Sequence, residues 1–363
     1  MVEGSTPSRP TNQPQLQRYD QFPEELLDVP ACELWRQLRG PSFFSVAGRR
    51  TDPLFVSVLL HGNEDSGWQA IQSVLRRHRG TLLPRPLLLF VGNVAAARER
   101  LRSLPGQEDY NRAWPGTEHP GTPTAGLLRE VFDLVASQSP FASIDIHNNT
   151  GRNPHYACVS RLDERHLHLA RLFCRTVVYF ERPAGVQSAA LARLCPAVVA
   201  ECGRAGEPAG IEHAARLIEA GLALQHFPEH AVPDHDLDLL RTMAIVRVPA
   251  QASMSFGGEA ADFQFRSDLD SLNFSELEPG AHLGSLGDGT AQRLEVAPSH
   301  ELAPRDGYFS YEGGAINLAR AAVPAMLTLD QRAVRLDCLG YLMQRIGRDG
   351  RPASVAGSMG SAP

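Results

Sequence analysis

Residues 54–68 read LFVSVLLHGNEDSGW, and this stretch decides the fold class. Leu54 to Leu60 is a short apolar run, in part β-branched, that ends at His61-Gly62. After Asp65-Ser66-Gly67, the residues Trp68, Ile71, Val74 and Leu75 fall near one face of a helix. The pattern is strand, loop, helix. It repeats downstream: Leu87 to Val91 reads as a strand running into Gly92-Asn93, and Ala95 to Leu101 as a helix. Further along, Leu127 to Ala136 is helical, Ser143 to Ile146 a strand, Leu167 to Cys174 a helix and Thr176 to Phe180 a strand. A short helix at Ala189 to Leu194, a strand at Ala197 to Ala200 and a long helix at Ile211 to Phe227 complete the series. Strands alternating with helices predict a parallel or mixed sheet covered on both faces.

The texture changes near residue 228. Val246 to Val248, Ala281 to Leu283 and the region around Gly307 to Tyr311 read as short strands in Gly- and Pro-rich chain. The expected organisation is an α/β unit over 1–228 with an N-terminal extension, a smaller β-rich unit over 229–346, and a flexible tail over 347–363 that is poor in large apolar groups. Thr6 to Gln17 is polar and Pro-rich and is expected to wrap or fray. There is no internal repeat.

The 363 residues suffice for a large core, with 43% hydrophobic and 21% charged residues and a net charge of -6. No basic tract points to nucleic acid, although a local basic pocket is compatible with this balance. The first twenty residues lack the basic-then-apolar order of a secretory signal, and the apolar strings are too short to span a bilayer. Six cysteines without a CxxC pair predict reduced thiols and a cytoplasmic protein, with Cys202 a packed thiol. The oligomeric state stays open, a symmetric homo-oligomer included.

Three polar clusters lie at predicted strand ends, where ligands bind in open α/β sheets. In His61-Gly62-Asn63-Glu64, an imidazole and a carboxylate three residues apart are both suitable zinc ligands. The same string alone also reads as a solvated turn. In Asp145-Ile146-His147-Asn148-Asn149-Thr150, strand alternation sends Asp145 and His147 to one side, so that His147 supplies a third ligand and Asp145 is placed to orient a ring. A cap with a satisfied histidine is the plainer alternative. In Glu201-Cys202-Gly203, a carboxylate after an apolar strand is either paired, for instance with Arg204, or free to move protons beside a metal. Between the first two clusters, Asn111-Arg112 offers a guanidinium fork and an amide to a substrate carboxylate. Upstream, Arg100 or Arg102 is available to stabilise an oxyanion, whereas a helix carrying Arg98, Arg100 and Arg102 also reads as a solvated face.

Taken in order, HxxE, Asn-Arg near a Trp-Pro-Gly turn, Asp-x-His-Asn and Glu-x-Gly resemble the zinc carboxypeptidase superfamily, specifically its aspartoacylase and succinylglutamate desuccinylase branch. The resemblance covers roughly residues 54–225. It implies a three-layer zinc-carboxypeptidase-like α/β domain with a mixed central sheet, followed by a smaller β-rich domain that narrows the substrate channel. It also implies one zinc per chain on His61, Glu64 and His147, with Glu201 as general base and acid. Asn111 and Arg112 become substrate binders, joined by Asn148, while Arg102 is the oxyanion arginine with Arg100 as its rival. Here Arg102 is separated from Asp109 by Ser-Leu-Pro-Gly-Gln-Glu, Tyr110 precedes Asn111, and Ala113-Trp114 stands before Pro-Gly, each a departure from the branch pattern. The implied reaction is hydrolytic removal of an acyl group from an N-acyl amino acid or related small carboxylate. A carboxypeptidase acting on a peptide or peptidoglycan fragment is the runner-up, and a non-catalytic carboxylate-binding module would require a defective ligand set.

Overall fold

The computed structural model describes residues 15–352 apart from 302 and 305. The chain begins with β1 (Gln17–Tyr19), β2 (Ser42–Val46), β3 (Leu54–Val58), α1 (Ser66–Arg77), β4 (Leu87–Val91) and α2 (Val94–Glu99). It continues through α3 (Pro123–Ala136), β5 (Ala142–Asn149), β6 (Tyr156–Val159), α4 (Glu164–Arg171), β7 (Thr176–Tyr179), α5 (Gln187–Leu191), β8 (Ala197–Arg204) and α6 (Pro208–Ala223). Then follow β9 (Asp238–Arg247), β10 (Met254–Phe256), β11 (Phe263–Phe265), β12 (His282–Leu286), β13 (Glu295–Pro298), β14 (Phe309–Ser310), β15 (Ala315–Leu318), β16 (Val323–Ala325), α7 (Gln331–Leu336) and β17 (Gly340–Arg345).

Among the described residues, twelve strands form one mixed sheet in the order β1-β2-β4-β3-β5-β8-β6-β7-β9-β17-β16, with β13 paired to β9. A second sheet of five strands runs β10-β11-β12-β15-β14. The centre of the large sheet is parallel: β4, β3, β5 and β8 are neighbours running the same way. Alternation within these strands feeds two cores. Leu54, Val56 and Val58 of β3, Ile144 and Ile146 of β5, and Val198 and Ala200 of β8 pack on one face with α1, α4 and α6. Phe55 faces the other way, with Phe90 and Trp114, onto α3 and α5. Helices thus cover both faces of the parallel strands, the three-layer arrangement expected. The second face also carries Ser143, Asp145 and His147, and beyond β8 a smaller apolar cluster built on Tyr156, Val178, Leu240 and Met343.

The strand expected at Val246 to Val248 starts earlier, at Asp238, and joins the large sheet by pairing with β7, β13 and β17. Its alternation of buried and half-buried residues lies in Leu239 to Val246, behind a run of Asp, His and Pro that masks it in sequence. Of the expected tail, 347–352 closes a turn with an isolated bridge between Ile346 and Pro352, and 353–363 lies outside the described residues. Of the N-terminal segment expected to fray, 6–14 lies outside them as well, and Gln17 belongs to β1.

One close approach fixes the start of the site. A Cβ on Gly62 would sit 2.2 Å from the Ala96 carbonyl carbon and the Ala97 nitrogen of α2. The loop after β3 therefore lies on helix backbone, which cannot yield. Gly62→Ala is expected to cost about 2 kcal/mol of stability or more, as overpacking does. Gly121→Ala, with open space around it, should stay within about 0.5 kcal/mol. Urea unfolding of the two variants reads the difference.

Candidate metal centre

β3 ends at Val58, and Leu59 takes a left-handed conformation (φ 56°) that turns the chain away from the sheet. This delivers His61 and Glu64 over the end of neighbouring β5. His61 Nδ1 lies 2.8 Å from Glu64 Oε1. His147 Nδ1 lies 2.7 Å from Glu64 Oε2. One ligand atom from each of the three side chains falls within 4.8 Å of the other two, and all three residues are buried.

The far nitrogen of each ring meets its own carboxylate. His147 Nε2 lies 2.9 Å from Asp145 Oδ2, and the Ser57 hydroxyl donates to Asp145 Oδ1 at 2.6 Å. His61 Nε2 lies 3.1 Å from Asp109 Oδ1. A carboxylate accepts only, so with no ion between them each ring donates from both nitrogens, Nε2 to Asp145 or Asp109 and Nδ1 to Glu64, and a metal held there would take the place of the two Nδ1 protons. The electrostatics agree. Burial alone would raise the Glu64 carboxyl, but the two imidazoles hold it far below the usual carboxylate range. Burial would lower both imidazoles, yet Asp145 and Glu64 lift His147, and Glu64 and Asp109 lift His61 against Arg102. The spot between the two Nδ1 atoms therefore draws positive charge. A divalent cation with nitrogen and oxygen ligands fits it.

Glu201 stands opposite. In the parallel pairing of β5 and β8 it is the register partner of His147, and the register shifts immediately afterwards. Its Oε2 is buried and has no hydrogen-bond partner. Burial, with the charge of Glu64 added, pushes the carboxyl up to about 7 against the pull of His147. Glu201 does not pair with Arg204, which reaches Asp270 instead.

The remaining residues singled out in sequence divide. Arg102 points in: its Nε and Nη2 donate to Asp109 Oδ2 at 3.2 and 3.0 Å, and its Nη1 lies 3.8 Å from Glu64. Arg100 is αL (φ 53°), ends α2 and reaches Cys32. It borders an adjoining polar cleft rather than the cavity that holds His61 and His147. Arg98 lies over the Trp35 ring, on the exposed face. Arg112 lines the metal-side cavity but donates to the Asn111 carbonyl at 2.8 Å and to Asp337 Oδ1 at 3.1 Å. The Asn111 amide lies between His147 Nε2 and the Gln187 N–H. Asn148 ties the centre together: its N–H donates to Glu64, its Nδ2 to the Gly203 carbonyl, and its Oδ1 accepts from Ser66 N–H. Asp109 and Asp337 were not singled out in sequence. Asp109 carried a signal, since it immediately precedes Tyr110-Asn111-Arg112 and caps that turn through Asn111 N–H. Asp337, some two hundred residues from both arginines, carried none.

No family model matches the sequence. A stretch of 130 residues is 31% identical to a probable cation-transporting ATPase I of Mycobacterium leprae, taking in 34% of this chain and 7% of that protein. The backbone is similar to a succinylglutamate desuccinylase/aspartoacylase from Rhodobacter sphaeroides (TM-score 0.55, 16% identity, 83% of this chain and 88% of that one). It is similar as well to succinylglutamate desuccinylases from Chromobacterium violaceum (0.54, 16%, 83% and 86%) and Vibrio parahaemolyticus (0.55, 15%, 87% and 89%). The chain therefore has the fold of that branch. No helix among the described residues is long and apolar enough to cross a membrane.

Because Asp145 orients His147, and asparagine keeps the side chain's shape and an oxygen for the Ser57 hydroxyl, Asp145→Asn should weaken zinc binding by roughly 10- to 100-fold with the fold intact. Competition with a chromophoric chelator measures it, and unchanged affinity would refute the orienting role.

Proposed function

We propose that this protein is a zinc-dependent amidohydrolase that removes an acyl group from an N-acyl amino acid or related small carboxylate. The observation that carries the reading is the convergence of His61 Nδ1, Glu64 and His147 Nδ1 beside the unpartnered Glu201 carboxyl. Two imidazoles and one carboxylate form a known catalytic zinc set, one ion per chain. Zinc held there supplies Lewis acidity to a carbonyl and makes water acidic near neutral pH.

The chain's own residues do the rest. Glu201 accepts a proton from the water that adds to the acyl carbon and delivers it to the departing nitrogen. Its burial, which raises the carboxyl, suits a group that must both take and give a proton. Arg102, fixed by Asp109, stands beside Glu64 to meet the negative charge that develops on the carbonyl oxygen. Arg112 has N–H groups beyond those engaged by Asn111 and Asp337, and these receive the substrate carboxylate, with Asn111 fixing the arginine through its carbonyl. Asn148 acts on the site by holding Glu64 in place.

The reading extends to the whole chain. In this proposal residues 1–228 are the catalytic unit and 229–346 the bordering unit, which shares the large sheet through β9, β13, β16 and β17, with 347–363 as a tail. The bordering unit's part is supported by Met326, Asp337, Tyr341 and Met343, which line the cleft. The six cysteines are unpaired, in keeping with a cytoplasmic enzyme.

Glu201→Gln should retain zinc and lose about 10²-fold or more in turnover of N-acyl amino acids. Metal analysis and a ninhydrin assay for the released amine test it together. Release of C-terminal residues from peptides, without N-acyl amino acid cleavage, would select a carboxypeptidase instead.

A further inference from the structure

A cleft partly open to solvent lies beside the metal centre. Its walls differ. On one side lie the metal ligands, Glu201 and the arginines. The other side continues the apolar cluster on the second face of the sheet, and Tyr156, Cys158, Val178, Val199, Met326 and Met343 line it. Three arginines line the cavity among the described residues: Arg102, Arg112 and Arg182. Arg102 and Arg112 share the Asp337 carboxylate at 3.5 and 3.1 Å, and Arg102 also holds Asp109. These two positive charges are therefore matched by two negative ones. Arg182 is the third, a rim residue with its side chain 61% exposed, 3.7 Å from Glu118.

One carboxylate meets the remaining Arg112 N–H groups or the metal. A second carboxylate on the same small ligand would face thioether and aliphatic groups and the neutral hydroxyls of Tyr156, Thr242 and Tyr341, without a buried cation to receive it, and a desolvated carboxylate that lacks a counter-charge is strongly disfavoured. We propose that the pocket selects monocarboxylate substrates whose other end is an aliphatic or aromatic group, and that Asp337 sets this choice by holding Arg102 and Arg112. Dicarboxylate substrates, such as N-succinyl amino acids, are excluded. The chemistry at the acyl carbon rests on the hydrolase reading, whereas the pocket's preference is a binding property that is measured separately.

Hexanoate and adipate have equal chain length and differ by the second carboxylate. Calorimetric titration of the zinc-loaded protein should find hexanoate bound at least about tenfold more tightly. Asp337→Asn keeps the shape of the side chain, removes the charge that offsets Arg112 while Asp109 still holds Arg102, and should narrow the gap. Met326→Lys, which sets a cation on the apolar wall, should narrow it as well and serves if the first variant does not fold. Adipate binding as tightly as hexanoate in the unmodified protein overturns the proposal, and a gap unchanged in folded Asp337→Asn overturns the role of Asp337. Turnover separates the two claims. Preference for hexanoate without cleavage of any N-acyl amino acid keeps the pocket assignment and removes the hydrolase reading. Fastest cleavage of N-succinyl amino acids does the reverse.

Discussion

Asp145 has no exposure to solvent and sits in a parallel strand at the middle of a twelve-stranded sheet. A carboxylate in that position is tolerable only when its oxygens are satisfied. The Ser57 hydroxyl from β3 takes one and the His147 ring takes the other. That pair of bonds couples the register of β3 and β5, in which Ser57 is the partner of Asp145, to the orientation of an imidazole. Glu64 follows, because His147 Nδ1 and Asn148 N–H receive its Oε2. Glu201 follows as well, as the register partner of His147 on β8. Slipping either pairing by one residue would reverse which side chains reach this face.

The charges around the centre form a chain of compensated pairs. Asp109 joins His61 to Arg102, and Asp337 joins Arg102 to Arg112. Each partner is largely shielded from water, so removing one member leaves its neighbour uncompensated. Glu201 is the exception, since one of its oxygens has no partner. This unsatisfied oxygen, beside charged groups that are paired, is the observation on which the proposed proton transfer rests.

Much of this was legible in the chain. The HGNE, DIHNN and ECG strings each follow an apolar run, and the reading of them as strand-end clusters on an α/β sheet locates the three metal-facing side chains and Glu201. What sequence reading missed is tertiary in origin. β5 and β8 extend through His147 and Glu201, because polar residues there find partners on neighbouring strands that periodicity does not register. Arg100 and Arg102 look equivalent in the string, yet the αL turn at Arg100 reverses the chain and sends only Arg102 inward. Asp337 meets Arg112 across 225 residues, and no local pattern announces such a pair.

The metal-facing side chains come from β5 and the loop after β3, whereas the apolar wall comes from β6, β7, β8 and the segment around β16 and β17. The two sets share a cavity but belong mostly to different strands. Substitutions at separated positions act nearly independently. Val199 and Tyr156 are register partners of Asp145 and Glu201 and stay tied to the centre, whereas Met326 and Met343, which pair with neither, can change in size and shape while the ion-holding cluster stays as it is. A lineage built this way diversifies in what it accepts long before it changes what it does.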